Sequence, residues 1–247
     1  MGDSRHCPEC GLATWLSLSG NDGLEQSNPR WLRRLALGCG VLAGAQLAGL
    51  GALLGMVGIG RLDDTFVVLM LLGCGLYLGI CSAGLLLVAG NERRYPDRAG
   101  SYRAMVLIGA VVCMLAGGLL GLRATRPIVR GDWLREAPHW WMWTQLGTAI
   151  GAAALWAYLG HLSRRAGSRL LRKVSGAMMV LGLIIALSAI PCMRAVVFPE
   201  VIRGVQYLPW IYLPATAWML GVWTVAFAKA ARSAGRTWAA ESAAGAE

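Results

Sequence analysis

A chain of 247 residues that is 56% hydrophobic and only 15% charged is too apolar for a water-soluble fold, because soluble domains are typically about 45–50% apolar. Its charges fall in the gaps between long apolar runs, and no polar stretch is long enough to fold as a soluble catalytic domain. The formal net charge of +10 is divided among short arginine clusters and forms no continuous surface, which argues against a nucleic-acid partner and for arginines that flank a membrane and touch anionic head groups.

The run lengths predict an all-α integral membrane protein with about six transmembrane helices, since a hydrocarbon core of about 30 Å takes roughly 20 residues at about 1.5 Å each. In chain order, residues 1–34 form a polar segment ending in Arg30, Trp31, Arg33 and Arg34. No secretory signal is expected within it, because the first apolar run begins late and has no small-residue cleavage site. The expected spans are Leu35–Gly60, Thr65–Gly90, Ala104–Leu122, Trp140–Gly160, Val174–Val197 and Leu208–Lys229. Pro191 and Arg194 interrupt the last turns of the fifth, where a proline would kink or end the helix. Residues 230–247 read as a disordered cytoplasmic tail.

Orientation follows from the arginines. With the N-terminus inside, the cytoplasmic segments carry Arg5, Arg30, Arg33 and Arg34, then Arg93, Arg94, Arg98 and Arg103. They continue with Arg164, Arg165, Arg169, Arg172 and Lys173, and finally Lys229, Arg232 and Arg236. Most of the basic residues then lie inside, so both termini are expected in the cytoplasm of a cell whose inner membrane holds the protein. One loop dissents: 123–139 would be external, yet it carries Arg123, Arg126, Arg130 and Arg135. Trp31, Trp133, Trp140, Trp141, Trp143 and Trp210 fall near expected span ends, where an indole suits the head-group layer.

Glycine, with 33 residues, recurs at four-residue spacing inside the spans: Gly40 and Gly44, Gly51 and Gly55, Gly75 and Gly79, Gly117 and Gly121, Gly147 and Gly151. Each pair puts two small residues on one helix face and lets a neighbouring backbone approach, which predicts a glycine-rich, closely packed bundle.

The spans contain no Asp or Glu, and their polar content is Gln46, Gln145, Tyr77, Tyr158 and a few hydroxyls. Proton-coupled transport and intramembrane hydrolysis both call for ionisable groups at membrane depth. Ser82 has no Gly-x-Ser-x-Gly elbow and no mid-membrane histidine to serve as its base. Neither a His-x-x-x-His pair nor a phosphate-binding loop occurs. A non-enzyme is expected.

One motif carries chemistry. His6-Cys7-Pro8-Glu9-Cys10-Gly11 presents two thiols from a single tight turn, which is half of a four-ligand zinc site. His6 adjoins Cys7 too closely to be an easy third ligand, and His161 is distant in sequence. Three readings of Cys7 and Cys10 stay open: a metal-free knuckle, zinc completed in trans by a second chain or partner protein, and a redox dithiol.

This N-terminal pattern, followed by Asn28-Pro29-Arg30-Trp31-Leu32-Arg33-Arg34-Leu35, resembles a group of bacterial multi-spanning proteins of unknown function, seen especially among planctomycetes, with a CPxCG zinc-ribbon-like knuckle ahead of the membrane region. The resemblance implies a class without an activity and carries over only Cys7 and Cys10, as metal ligands. The second cysteine pair of a full ribbon is missing.

The expected function is a non-catalytic membrane component that assembles in the bilayer with a second copy or another membrane protein, its Cys7/Cys10 head serving as a docking point. A small-molecule or lipid transporter is the alternative. A third reading is an enzyme on the external loop, with His139, Asp132 and Glu136.

Overall fold

A computed structural model describes residues 24, 27–58, 64–90, 100–124, 150–166, 168–188 and 199–244. Among these residues the fold is all-helical. The helices are α1 (Pro29–Gly58), α2 (Asp64–Val88), α3 (Gly100–Ala124), α4 (described over 150–165), α5 (Arg169–Ser188) and α6 (Pro199–Ala244). Four stretches among the described residues are long and apolar enough to cross a membrane: Pro29–Ala52, Leu71–Val88, Ser101–Leu122 and Trp210–Thr237.

The local sequence explains the helix ends. Asn28 caps α1 by accepting the Arg30 N–H on its side-chain oxygen at 2.9 Å, and Pro29, whose missing N–H is no loss there, takes the first helical position. This cap starts α1 six residues before the expected span, so that Arg30, Arg33 and Arg34 are helical. Ser168 does the same for α5, with its hydroxyl accepting the Leu171 N–H at 3.3 Å. The stretch 230–244, expected as a disordered tail, instead continues α6. Its alanines favour helix, and Ala230, Ala231 and Ala234 are buried in the core.

Each helix turns one stripe inward at steps of three and four: Leu32, Leu35, Cys39 and Leu42 on α1; Leu78, Cys81, Leu85 and Val88 on α2; Leu220, Trp223, Phe227 and Ala231 on α6. Away from the basic helix ends, the opposite faces are apolar as well and exposed. Leu76 is 68% exposed, Val225 66% and Trp218 75%. Large apolar side chains on the outside of a packed helix are tolerated when lipid is the solvent. Helices hydrophobic all round, arranged so, define a helical membrane protein.

Glycine sets the spacing, but mainly across helices. Gly38 on α1 faces Gly84 on α2, Gly75 on α2 faces Gly117 on α3, and Gly109 on α3 faces Gly151 on α4. A Cβ on Gly75 would come within 3.0 Å of the Gly117 carbonyl oxygen, and one on Gly109 within 2.5 Å of the Gly151 Cα. Of the expected pairs, Gly75, Gly117 and Gly151 meet a neighbouring helix this closely, while Gly44, Gly51, Gly79 and Gly121 face open space. Gly147 lies outside the described residues. The α2–α3 seam repeats every seven residues in opposite directions: Gly75 against Gly117, Ser82 bonded to Ala110, Ala89 bonded to Arg103. That is the register of antiparallel helices crossing at about 20°. α1 packs most extensively along α6 and also against α2, while α5 touches α6 over a short stretch.

Candidate functional site

Two places concentrate polar chemistry. The first is the end of the bundle where α1 begins. Here the chain must satisfy the last carbonyls of α2, which have no partner within their own helix. The Trp31 indole on α1 donates its Nε1–H to the Gly90 carbonyl at 2.9 Å. Arg103 on α3 donates to the Ala89 carbonyl from Nε and Nη2, at 3.3 and 3.2 Å. A guanidinium at a helix C-terminus also meets the negative end of the helix dipole. Arg165, at the end of α4, stands 5.8 Å from the Trp31 ring centroid and donates to the Ser27 hydroxyl at 2.9 Å. His161 stacks at a tilt on Tyr102 with centroids 5.9 Å apart. Arg30, Arg33, Arg34, Arg103, Arg165, Arg169 and Arg172 thus converge from α1, α3, α4 and α5 on one end. Trp31 is 5% exposed. The sequence suggests a lipid anchor, but the residue is an internal tie between three helices.

The second place lies deeper. Tyr77 on α2 donates its hydroxyl proton to Gln46 Oε1 on α1 at 3.2 Å. Gln46 is 12 residues past Arg34 and Tyr77 is 12 before Ala89, about 18 Å along each helix from the basic end at about 1.5 Å per residue. The pair therefore lies near the middle of a core about 30 Å thick. The Cys81 thiol and the Tyr212 hydroxyl on α6 are in electrostatic range of Tyr77. Tyr212 in turn has Trp156 on α4 and Thr216 on its own helix within reach of its hydroxyl. None of those three closes a hydrogen bond of ordinary length and angle: Trp156 Nε1, Tyr212 Oη and Thr216 Oγ1 are all buried without a partner, as are Ser175 Oγ and Trp223 Nε1. A buried polar group left unsatisfied costs about 1–3 kcal/mol in proteins, and lipid offers no water to relieve it.

Cys7 and Cys10 lie outside the described residues, as do Gln145, His139, Asp132, Glu136, Pro191, Arg194 and Trp133, Trp140, Trp141 and Trp143. Among the described residues no three His, Cys, Asp or Glu side chains are grouped to hold a metal, and Cys39, Cys74, Cys81 and Cys113 form no disulfide. The Ser82 hydroxyl donates to the Ala110 carbonyl at 2.8 Å across the α2–α3 seam, which is a packing role. Ser82→Ala should lower stability by about 0.6 kcal/mol, a typical value for a hydrogen bond between membrane helices, measured as a small fall in the thermal midpoint in detergent.

Of the intramembrane polar residues named from the sequence, Gln46 and Tyr77 are brought together, Tyr158 is buried elsewhere on α4, and Gln145 lies outside the described residues. Trp156, Trp223, Tyr212 and Thr216 do not stand out in the sequence, although a usable signal exists on α6. Tyr212, Thr216, Leu220, Trp223 and Phe227 share one face of α6 by spacing alone, whereas Trp156 and Trp223 stand four and six residues from the expected span ends at Gly160 and Lys229, where an indole reads as an anchor.

Comparison with protein-family models, with curated proteins and with solved structures gave no match for the chain. What the fold establishes is the class: a helical membrane protein.

Proposed function

We infer that the chain is a non-catalytic component of the cytoplasmic membrane that crosses it six times, with both termini in the cytoplasm, and that works by assembling with a second copy or another membrane protein. The observation that supports this reading is the convergence of basic helix ends on one end of the bundle, joined by Trp31, Arg103 and Arg165. Such an end is retained on the cytoplasmic side and suits anionic head groups. It is continuous in sequence with the segment bearing Cys7 and Cys10. Two thiols in a Cys-x-x-Cys turn supply half the ligands of a structural zinc site. A second chain would provide the other half.

Zinc content and oligomeric mass of the detergent-solubilised protein test this together. About half a zinc per chain, held by a dimer and lost in a Cys7→Ser/Cys10→Ser variant, is expected from the ligand count. A metal-free monomer whose Cys7 and Cys10 capture no second copy or partner on crosslinking overturns the assembly reading.

A second reading, a binder or transporter of a small molecule, is supported by a different observation. The five partnerless polar atoms on α4, α5 and α6 form an unsatisfied interior that a merely structural bundle would be expected to close.

A further inference from the structure

We propose that the junction of α4, α5 and α6 is a binding site for a small lipophilic molecule that presents a neutral, hydrogen-bond-accepting oxygen, such as a carbonyl. The proposal rests on the second reading above only in supposing that the bundle holds a ligand at all.

The donors define the chemistry. The Trp156 Nε1–H can only donate, and the Tyr212 and Thr216 hydroxyls can donate or accept. The Tyr212 hydroxyl lies within reach of both other groups, so a single oxygen atom between them can accept from more than one. All three polar atoms are buried and without a partner, and Trp156 and Thr216 are 1% and 3% exposed. No arginine, lysine or carboxylate on the described parts of α4, α5 and α6 shares this depth: the basic residues of α4 and α5 are at Arg164, Arg165, Arg169, Arg172 and Lys173, and on α6 Glu200 and Arg203 precede Tyr212 by nine residues or more while Lys229 follows Thr216 by 13. A charged or zwitterionic ligand would have no counter-charge there, so the occupant is neutral.

Depth narrows the class further. Trp156 precedes Arg165 by nine residues, about 14 Å along the helix at about 1.5 Å per residue. Phospholipid head groups and their ester carbonyls stay near the interface and do not reach this level of a core about 30 Å thick. A free lipophile can. Its body would meet aromatic and aliphatic surface on the same face of α6: Leu220 is fully buried, and Trp223 stacks on Phe227 with centroids 5.0 Å apart.

The route is lateral. α5 meets α6 only over a short stretch. The Tyr212 hydroxyl reaches the α5 backbone at Gly182, where a Cβ would come within 2.9 Å of it. On either side of this contact, Val180, Leu183 and Ile184 on α5 and Ile211 on α6 are exposed and apolar. A molecule dissolved in the bilayer would therefore approach the junction along apolar surface, without crossing the basic end.

The test uses the full chain in lipid nanodiscs and a decyl-substituted benzoquinone as probe, a flat neutral molecule with two carbonyl oxygens that quenches tryptophan on contact. Saturable quenching is expected for the unaltered protein. In Tyr212→Phe/Thr216→Val, which keeps both buried tryptophans and the local volume, the dissociation constant should rise about tenfold or more, from the loss of two hydrogen bonds of modest net strength. Tyr102→Phe, at the basic end, should behave as the unaltered protein and serves as the folding control. Quenching that grows linearly with probe, as partition into the bilayer would give, overturns the site and leaves water as the occupant of the junction. An unchanged dissociation constant in the double variant also overturns it. Uptake of the same probe into proteoliposomes is measured separately. Saturable binding without uptake upholds the site and removes transport, so the two failures are distinct.

Discussion

Gly109→Ala should destabilise the protein by about 3 kcal/mol or more, at or above the upper end of ordinary overpacking, and Gly109→Leu should leave no folded, monodisperse species in detergent. The reason is what the new Cβ would strike. At Gly109 it would stand 2.5 Å from the Gly151 Cα and 3.0 Å from the Gly151 nitrogen, both backbone. Backbone atoms in a helix cannot rotate away, so α3 and α4 would have to separate along their whole contact. Separation forfeits dispersion contacts that decline steeply within an ångström, and lipid supplies no hydrophobic drive to bring the helices back together. Gly84→Ala makes a graded comparison. Its Cβ would meet the Leu42 side chain at 2.6 Å, and a leucine rotamer can move, so the loss should be smaller. Gly118→Ala, with nothing within 4 Å, should be neutral or slightly stabilising, because alanine is the better helix former. Thermal midpoints by size-exclusion fluorescence order the three. A Gly109→Ala midpoint equal to that of Gly118→Ala would show that α3 and α4 are not packed through this contact.

The same glycines show how much of the fold is legible in the chain. Long apolar runs mark the helices, because lipid requires every backbone group to bond within its own segment. Four such runs among the described residues are long and apolar enough to cross a membrane; the expected boundaries fall within several residues of α1, α2 and α3, whereas α6 extends well beyond both ends of its expected span. Spacing within one helix says which glycines share a face. It does not say which face meets a neighbour, because both faces of a membrane helix are apolar and the partner lies far away in sequence. Gly38, Gly84 and Gly109 therefore gave no signal in the four-residue pattern, and Gly44 and Gly51 gave a false one. The helical stretch 230–244 was missed for a related reason. Its charges, Arg232 and Arg236, suggest a solvated tail, whereas the buried alanines on its other face tie it to the bundle.

The polar interior is legible only in part. Gln46 draws attention as a lone amide in an apolar run, and it does bond across to α2. Tyr212, Thr216 and Trp156 acquire meaning only together, and α4 and α6 are separated by enough chain that no local pattern links them. Indoles are also read first as interfacial anchors. That rule misses Trp31, Trp156 and Trp223, which are 5%, 1% and 0% exposed.

Trp31→Ala carries the other large expected effect, a loss of about 3–5 kcal/mol, as for other buried aromatic truncations. Three things go at once. A ring buried to within 5% of its surface leaves a cavity at the start of α1. The Gly90 carbonyl, bonded by the indole at 2.9 Å, loses that donor at the end of α2, where the helix itself offers none. The Arg165 guanidinium, 5.8 Å from the ring centroid, loses its aromatic support and keeps the Ser27 hydroxyl. Trp31→Phe separates these contributions. It retains a ring for packing and for the cation, and removes only the hydrogen bond, so it should cost about 1 kcal/mol. The effect also bears on function. If Trp31 holds the basic ends of α1, α2 and α4 together, Trp31→Ala should make Arg165 and its neighbours more accessible to an arginine-modifying reagent, while Gly109→Ala, which acts deeper in the bundle, should not. Equal damage from the alanine and phenylalanine variants would assign the whole effect to the hydrogen bond. A midpoint unchanged in Trp31→Ala would remove the tie altogether, and with it the geometric support for a single basic end of the bundle.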